Sequence, residues 1–185
     1  MKIFLIIALL LASGWCTAQS DPGTQSSGGK KSSANRPFVG QTPNFALPTL
    51  DGGTLKRSDL RGRVVILNFW STFGEACKIQ ISTLVELQNE YGSQELQVVG
   101  VDLEDAATTE DIVALTKEMK VNYPIVIGNE LVAKKYGGIP VLPTSVFLDR
   151  DGKTIALEFG VQDRSVMVDQ ILKALGPGFA SKGTN

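Results

Sequence analysis

The chain has 185 residues, 43% hydrophobic and 20% charged, with 18 basic against 19 acidic side chains, two cysteines and no histidine. That length fits one domain plus extensions, and the charge balance gives no long-range field for nucleic acid or an anionic membrane. Without histidine there is no Ser-His-Asp or Cys-His pair, no histidine general base and no histidine-ligated zinc or copper, so redox or nucleophilic chemistry must rest on Cys16 or Cys77.

In chain order, residues 1–18 read as an export signal. Lys2 supplies the charged start and Ile3 to Ala12 an apolar run too short to span a bilayer comfortably. Cys16-Thr17-Ala18 puts small residues at positions −3 and −1 of a cut after Ala18. An alternative is a lipid anchor on Cys16, although bulky Trp15 stands where a small residue is expected. The expected location is extracytoplasmic, periplasmic or secreted. An uncleaved signal, or lipid on Cys16, would tether the chain to a membrane. A cut after Ala18 leaves Cys77 as the one cysteine of the mature chain, an unusual lone thiol for an oxidising compartment.

Residues 19–37 are rich in Ser and Gly and read as a flexible linker. The globular domain is expected over 38–176, with a disordered tail at 177–185. Within the domain, Phe45 to Leu50, the Asp51-Gly52-Gly53 turn and Thr54-Leu55 predict an opening hairpin. Val64 to Phe69 is a continuous apolar strand of the kind buried on both faces. A helix is predicted over about 76–91, with Ile81, Leu84, Leu87 or Gln88, and Tyr91 on one side. Leu96 to Val101 is a second buried strand. Thr108 or Thr109 caps a helix to about Met119, with Asp111 completing a capping box on Thr108. A short strand Tyr123 to Ile127 and a short helix Glu130 to Tyr136 follow, stopped by Gly137-Gly138. Ser145 to Leu148 and Thr154 to Phe159 form a hairpin across Asp149 to Gly152. Arg164 to Leu175 closes the domain as a helix with Val168, Ile171, Leu172 and Leu175 inward. Alternating strands and helices predict an α/β fold with a parallel core and helices on both faces.

The run Asn68 to Ser82, NFWSTFGEACKIQIS, resembles the active-site segment of exported thioredoxin-like proteins of the TlpA/ResA type, N-F-W-x-T-W-C-x-P-C-[RK]-x-E-x-P. The resemblance extends to Pro43-Asn44-Phe45 through Asp59-Leu60-Arg61-Gly62, to Ile139-Pro140-Val141-Leu142-Pro143-Thr144, and to Leu148 through Lys153. It implies a thioredoxin-like fold, a central mixed sheet with helices on both faces and an N-terminal hairpin extension. It also implies thiol-disulfide chemistry without cofactor or metal, a polypeptide or thiol redox partner, and a cis peptide bond before Pro143.

The match breaks where the chemistry lies. Gly74 stands at the place of the nucleophilic cysteine, Ala76 at the intervening proline, Phe73 at the tryptophan, Gln80 at the acidic residue and Ser82 at the later proline. Disulfide exchange needs an attacking thiolate and a second thiol that resolves the mixed disulfide. Gly74 has no sulfur, and Cys77 falls in the resolving position. Weak or absent exchange is therefore expected, with binding of a polypeptide or redox partner through Trp70, Phe73, Gly74, Glu75, Leu142, Pro143 and Thr144. The alternative is a single-cysteine peroxidase resembling peroxiredoxins, with Cys77 attacking peroxide. Gly74 at the place of the peroxiredoxin threonine speaks against it. A Cys77-linked homodimer is a third possibility. Gln80 is expected near the site, and Glu104 and Asp105 are read as a solvated loop leading into the Thr108 cap.

Overall fold

A computed structural model describes residues 40–104 and 107–176. The expected signal, linker and tail, with Cys16 and Asp105, lie outside the described residues.

The described strands are β1 (Gly40–Gln41), β2 (Ala46–Pro48), β3 (Thr54–Lys56), β4 (Val64–Trp70), β5 (Leu96–Asp102), β6 (Ile125–Ile127), β7 (Thr144–Leu148) and β8 (Lys153–Phe159). The helices are α1 (Glu75–Tyr91), α2 (Thr109–Glu118), α3 (Glu130–Lys135) and α4 (Arg164–Leu175). Six strands form one sheet in the order β1-β8-β7-β4-β5-β6. β4, β5 and β6 are parallel, whereas β7, β8 and β1 join antiparallel. β2 and β3 make the separate antiparallel hairpin that the Asp51-Gly52-Gly53 turn predicts.

All seven residues of β4 are buried, as a strand covered on both faces requires. Side chains alternate across a strand. Val64, Ile66 and Trp70 enter one core with Ile81, Leu84 and Leu87 of α1, Ile112 of α2 and Met167 and Ile171 of α4. Val65, Leu67 and Phe69 enter the other, with Val132 and Tyr136 from α3 and its C-terminus and Phe45 and Leu47 from the opening hairpin. The hairpin thus does on the second face what a longer helix would otherwise do.

Local signals account for the element ends. Thr108 accepts from the Asp111 N–H at 3.2 Å and donates its own N–H to the Asp111 carboxylate at 3.0 Å, closing the capping box. Gly137 and Gly138 end α3 at φ 87° and 75°, where a Cβ is strained. Two expectations shift. The buried set of α4 is Met167, Ile171, Ala174 and Leu175, with Val168 and Leu172 half-buried. The helix is turned so that its 167-171-174-175 row meets the sheet. β1 has only two residues and carries no periodic signal, so no strand is expected there.

Candidate functional site

The site grows out of the C-terminal end of β4. Backbone register brings three connections together there. Phe69 pairs with Thr144 and Trp70 with Asp102, so the 71–74 loop lies between the start of β7 and the end of β5. Trp70 C=O accepts from the Leu103 N–H at 3.0 Å, and Pro143 C=O accepts from the Gly160 N–H at 2.8 Å.

Glu104 pins the loop. Its carboxylate accepts from the Thr72 N–H at 2.8 Å and from the Thr72 hydroxyl at 2.6 Å. This corrects the expectation of a solvated Glu104: the charge-assisted pair to a nearly buried threonine clamps the segment that carries Phe73 and Gly74. The contact spans 32 positions and follows from the β4–β5 register, which no local pattern encodes.

Gly74 is the N-cap of α1 and offers no capping side chain. Its φ and ψ, −84° and 112°, suit any residue. A Cβ placed on Gly74 would lie 3.0 Å from the Cys77 Sγ and 3.5 Å from the Ser71 Oγ. About 3 Å is also the separation of Cβ and the far sulfur across a disulfide with an S–S bond of about 2.05 Å. The backbone therefore places position 74 and Cys77 at the separation that a disulfide between them would need.

Cys77 is 1% exposed and unpaired. Burial pushes its thiol above the ordinary range, and the Glu104 and Asp102 carboxylates add to this. The Ser71 N–H and hydroxyl oppose it. The thiol is thus protonated at neutral pH. We expect Cys77 to alkylate about 100-fold more slowly in the native protein than in urea at pH 8, its rate still climbing with pH above about 8.5. Mass spectrometry after timed iodoacetamide exposure checks this, and equal native and unfolded rates would contradict it. Lys78 does not activate the thiol: its Nζ lies 4.0 Å from the exposed Glu75 carboxylate, a pair of little energetic weight.

The residues expected on the binding surface divide. Phe73 and Glu75 are exposed, and Gly74 and Leu142 are half-buried. Trp70, Pro143 and Thr144 are buried. Trp70 shares the parity of Val64 and Ile66 and lies in the same core. Thr144 turns its hydroxyl inward to the Val141 C=O at 2.6 Å. Neither side chain reaches a partner without unfolding. The Leu142–Pro143 peptide bond is cis. Among the described residues no hydrogen bond ends on the Leu142 N–H or C=O. Gln80 is fully buried and accepts from the Gln162 N–H at 2.8 Å, tying α1 to the β8–α4 connection.

Sequence reasoning named Phe73 and missed the rest of the apolar rim. Phe73 is 75% exposed, and Val141, Phe159 and Val161 are exposed as well. Thr144 opposite Phe159 and Gly160 bonded to Pro143 place these side chains at the same end of the sheet. A large apolar residue next to a loop motif was the one available signal.

A mixed sheet with its parallel core at β4–β5–β6, a helix starting at a G-E-A-C turn after the buried strand, and a proline loop facing that turn define the thioredoxin-like class of redox proteins. The chain belongs to the AhpC/TSA family, whose model matches residues 39–156. It is 31% identical over 139 residues to the thiol-disulfide oxidoreductase ResA of Bacillus thuringiensis subsp. konkukian, covering 74% of this chain and 78% of that protein. It is 27% identical to ResA of Bacillus subtilis, covering 75% and 76%. A solved structure from Chlorobium tepidum assigned as thiol:disulfide interchange protein DsbE superposes with a TM-score of 0.69 at 30% identity, covering 75% of this chain and 98% of that one.

Proposed function

We propose that this protein is an exported member of the ResA-like group that has lost disulfide exchange and retains a polypeptide-binding end. The observation that carries the reading is Gly74 at the N-cap of α1, where the attacking sulfur belongs, above a buried and protonated Cys77. The helix N-terminus lowers the pKa of a thiol placed on it, and here no thiol is there to be lowered. Export is supported by the residue pattern of 1–18 and the Ser/Gly-rich stretch after it.

The binding part rests on two features that do not need the thiol. The Leu142 N–H and C=O are open to an extended chain that adds along the loop. Phe73, Val141, Phe159 and Val161 supply exposed apolar contacts beside it. The ligand class is an extended segment with bulky apolar side chains, held by main-chain pairing and Phe73. The test is fluorescence anisotropy with S-carboxymethylated insulin B chain, which carries no reactive thiol. Binding in the micromolar range is expected, and Phe73→Ser should weaken it about tenfold, in line with loss of an exposed aromatic anchor. Equal binding by both proteins, or none by either, would refute the reading.

The peroxidase alternative asks the Cys77 thiolate to attack the O–O bond of a peroxide, taking one oxygen as sulfenic acid and releasing the other as water or alcohol. Burial and the raised thiol weigh against it, as they do against a Cys77-linked homodimer. A dimedone adduct on Cys77 at low peroxide would favour the peroxidase.

A further inference from the structure

We propose a second site: the cleft at the other end of β4 binds a phosphate-type oxyanion. It lies before Val64, and a seven-residue strand rising about 3.3 Å per residue separates it from the Gly74 turn. The cleft measures about 470 Å³ and is lined by Arg57, Arg61, Gly62, Arg150 and Asp151. The Gly62 N–H donates to the Arg150 C=O at 3.1 Å and so joins the two segments that supply the arginines.

Two of the guanidinium groups are fixed before any ligand arrives. Arg57 Nε donates to the Asn44 side-chain oxygen at 2.9 Å, and its Nη1 to the Gly152 C=O at 3.3 Å. Both acceptors are neutral, so the Arg57 charge is oriented without being cancelled. Gly152 makes room for it: at φ 74°, a Cβ there would lie 2.2 Å from Arg57 Nη1. Arg150 is held by Glu95 through Nε and Nη2, both at 2.7 Å, and by the Leu175 C=O at 3.0 Å. Arg61 is exposed, and its side chain has no hydrogen bond or ion pair among the described residues.

The charges select the ligand. Glu95 pairs with Arg150, whereas Arg57 and Arg61 have no ion pair among the described residues, so their charges are open to an anion beside Asp151. Planar guanidinium forks pair with oxyanions through parallel N–H···O bonds. Arginines from two segments approach an anion from more than one direction and favour acceptor oxygens that do not share one plane. A tetrahedral phosphate has them, and a carboxylate does not. The same chemistry is offered by a free phosphate monoester and by a phospholipid headgroup. The site is independent of any chemistry at Cys77.

The test titrates the full chain with inorganic phosphate at constant ionic strength and follows amide shifts at Gly62 and Asp151 by NMR. Saturable shifts with a Kd below about 5 mM are expected. Arg57→Gln and Arg61→Gln should each weaken binding about tenfold, the loss of one charge-assisted contact. Arg61 is exposed and unpartnered, so its variant keeps the test valid if Arg57→Gln folds poorly. Non-saturating shifts, or unchanged affinity in Arg61→Gln, would overturn the proposal. Glycerol 3-phosphate and glycerophosphoglycerol then separate the sources. Binding of the monoester alone assigns the site to free phosphates, and binding of the diester assigns it to a headgroup.

Discussion

Gly74→Cys is expected to turn this protein into a working disulfide exchanger. The backbone at Gly74 accepts a side chain without strain, and the new Cβ lies 3.0 Å from the Cys77 Sγ. That distance already matches a closed disulfide. The introduced thiol would sit at the N-cap of a helix of 17 residues, where free N–H groups and the dipole favour its thiolate. It would attack a substrate disulfide, and Cys77 would then attack the mixed disulfide and release the reduced substrate. Burial suits Cys77 to that second step, because the resolving attack is intramolecular and needs no access from solvent. With dithiothreitol returning the resulting protein disulfide to the dithiol, insulin reduction should rise about 100-fold or more over the unaltered protein, the advantage of a resolving thiol held in place. The purified variant should also show two fewer free thiols per chain after mild oxidation than after reduction. Adding Cys77→Ser should abolish the gain and leave a trapped mixed disulfide. A variant that folds, keeps both thiols free under oxidant and does not reduce insulin would contradict the geometry.

The second large effect concerns stability. Gly128, just after β6, donates its N–H to the Asp102 C=O at 2.7 Å. A Cβ on Gly128 would meet that same carbonyl oxygen at 2.5 Å, and the side chains of Leu103 and Val101 at 2.8 Å each. A side-chain tip can swing away, but the carbonyl belongs to the β5 backbone, which pairs with β4 through Trp70. Gly128→Ala must therefore shift a strand end or break a hydrogen bond. The cost should be about 3 kcal/mol, at the upper end of overpacking effects, with a Tm lower by about 10 °C for a domain of this size. The strain should spread to the site, because Leu103 bonds to Trp70 and Glu104 clamps Thr72. Thermal denaturation by circular dichroism checks the first part. A loss under about 1 kcal/mol would show that β5 yields more easily than a packed sheet should.

Much of the fold was legible because it rests on local patterns. The unbroken apolar run of β4, the Thr108–Asp111 box and the Gly137-Gly138 stop each specify one element and its end. The G-E-A-C turn pointed to the start of α1 as the candidate site. What escaped was set by register and helix phase. The Glu104–Thr72 clamp exists because β4 and β5 pair in parallel with Trp70 opposite Asp102. Trp70 looked like a surface aromatic from its place in the motif. β4 is covered on both faces up to its last residue, so Trp70 is buried whichever face it takes, and its parity puts it with Val64 and Ile66. Thr144 turned inward for a different reason, since its hydroxyl satisfies the Val141 carbonyl. The arginine cleft was hidden because its side chains come from segments about 90 residues apart, as the Arg57–Gly152 bond shows.

The most direct measurement is the rate of insulin disulfide reduction by the unaltered protein in the presence of dithiothreitol. The absence of a thiol at Gly74 predicts a rate equal to that of dithiothreitol alone, unchanged by Cys77→Ser. Catalytic acceleration that disappears in Cys77→Ser would contradict the account, since it would show that a single buried thiol carries out the exchange unaided.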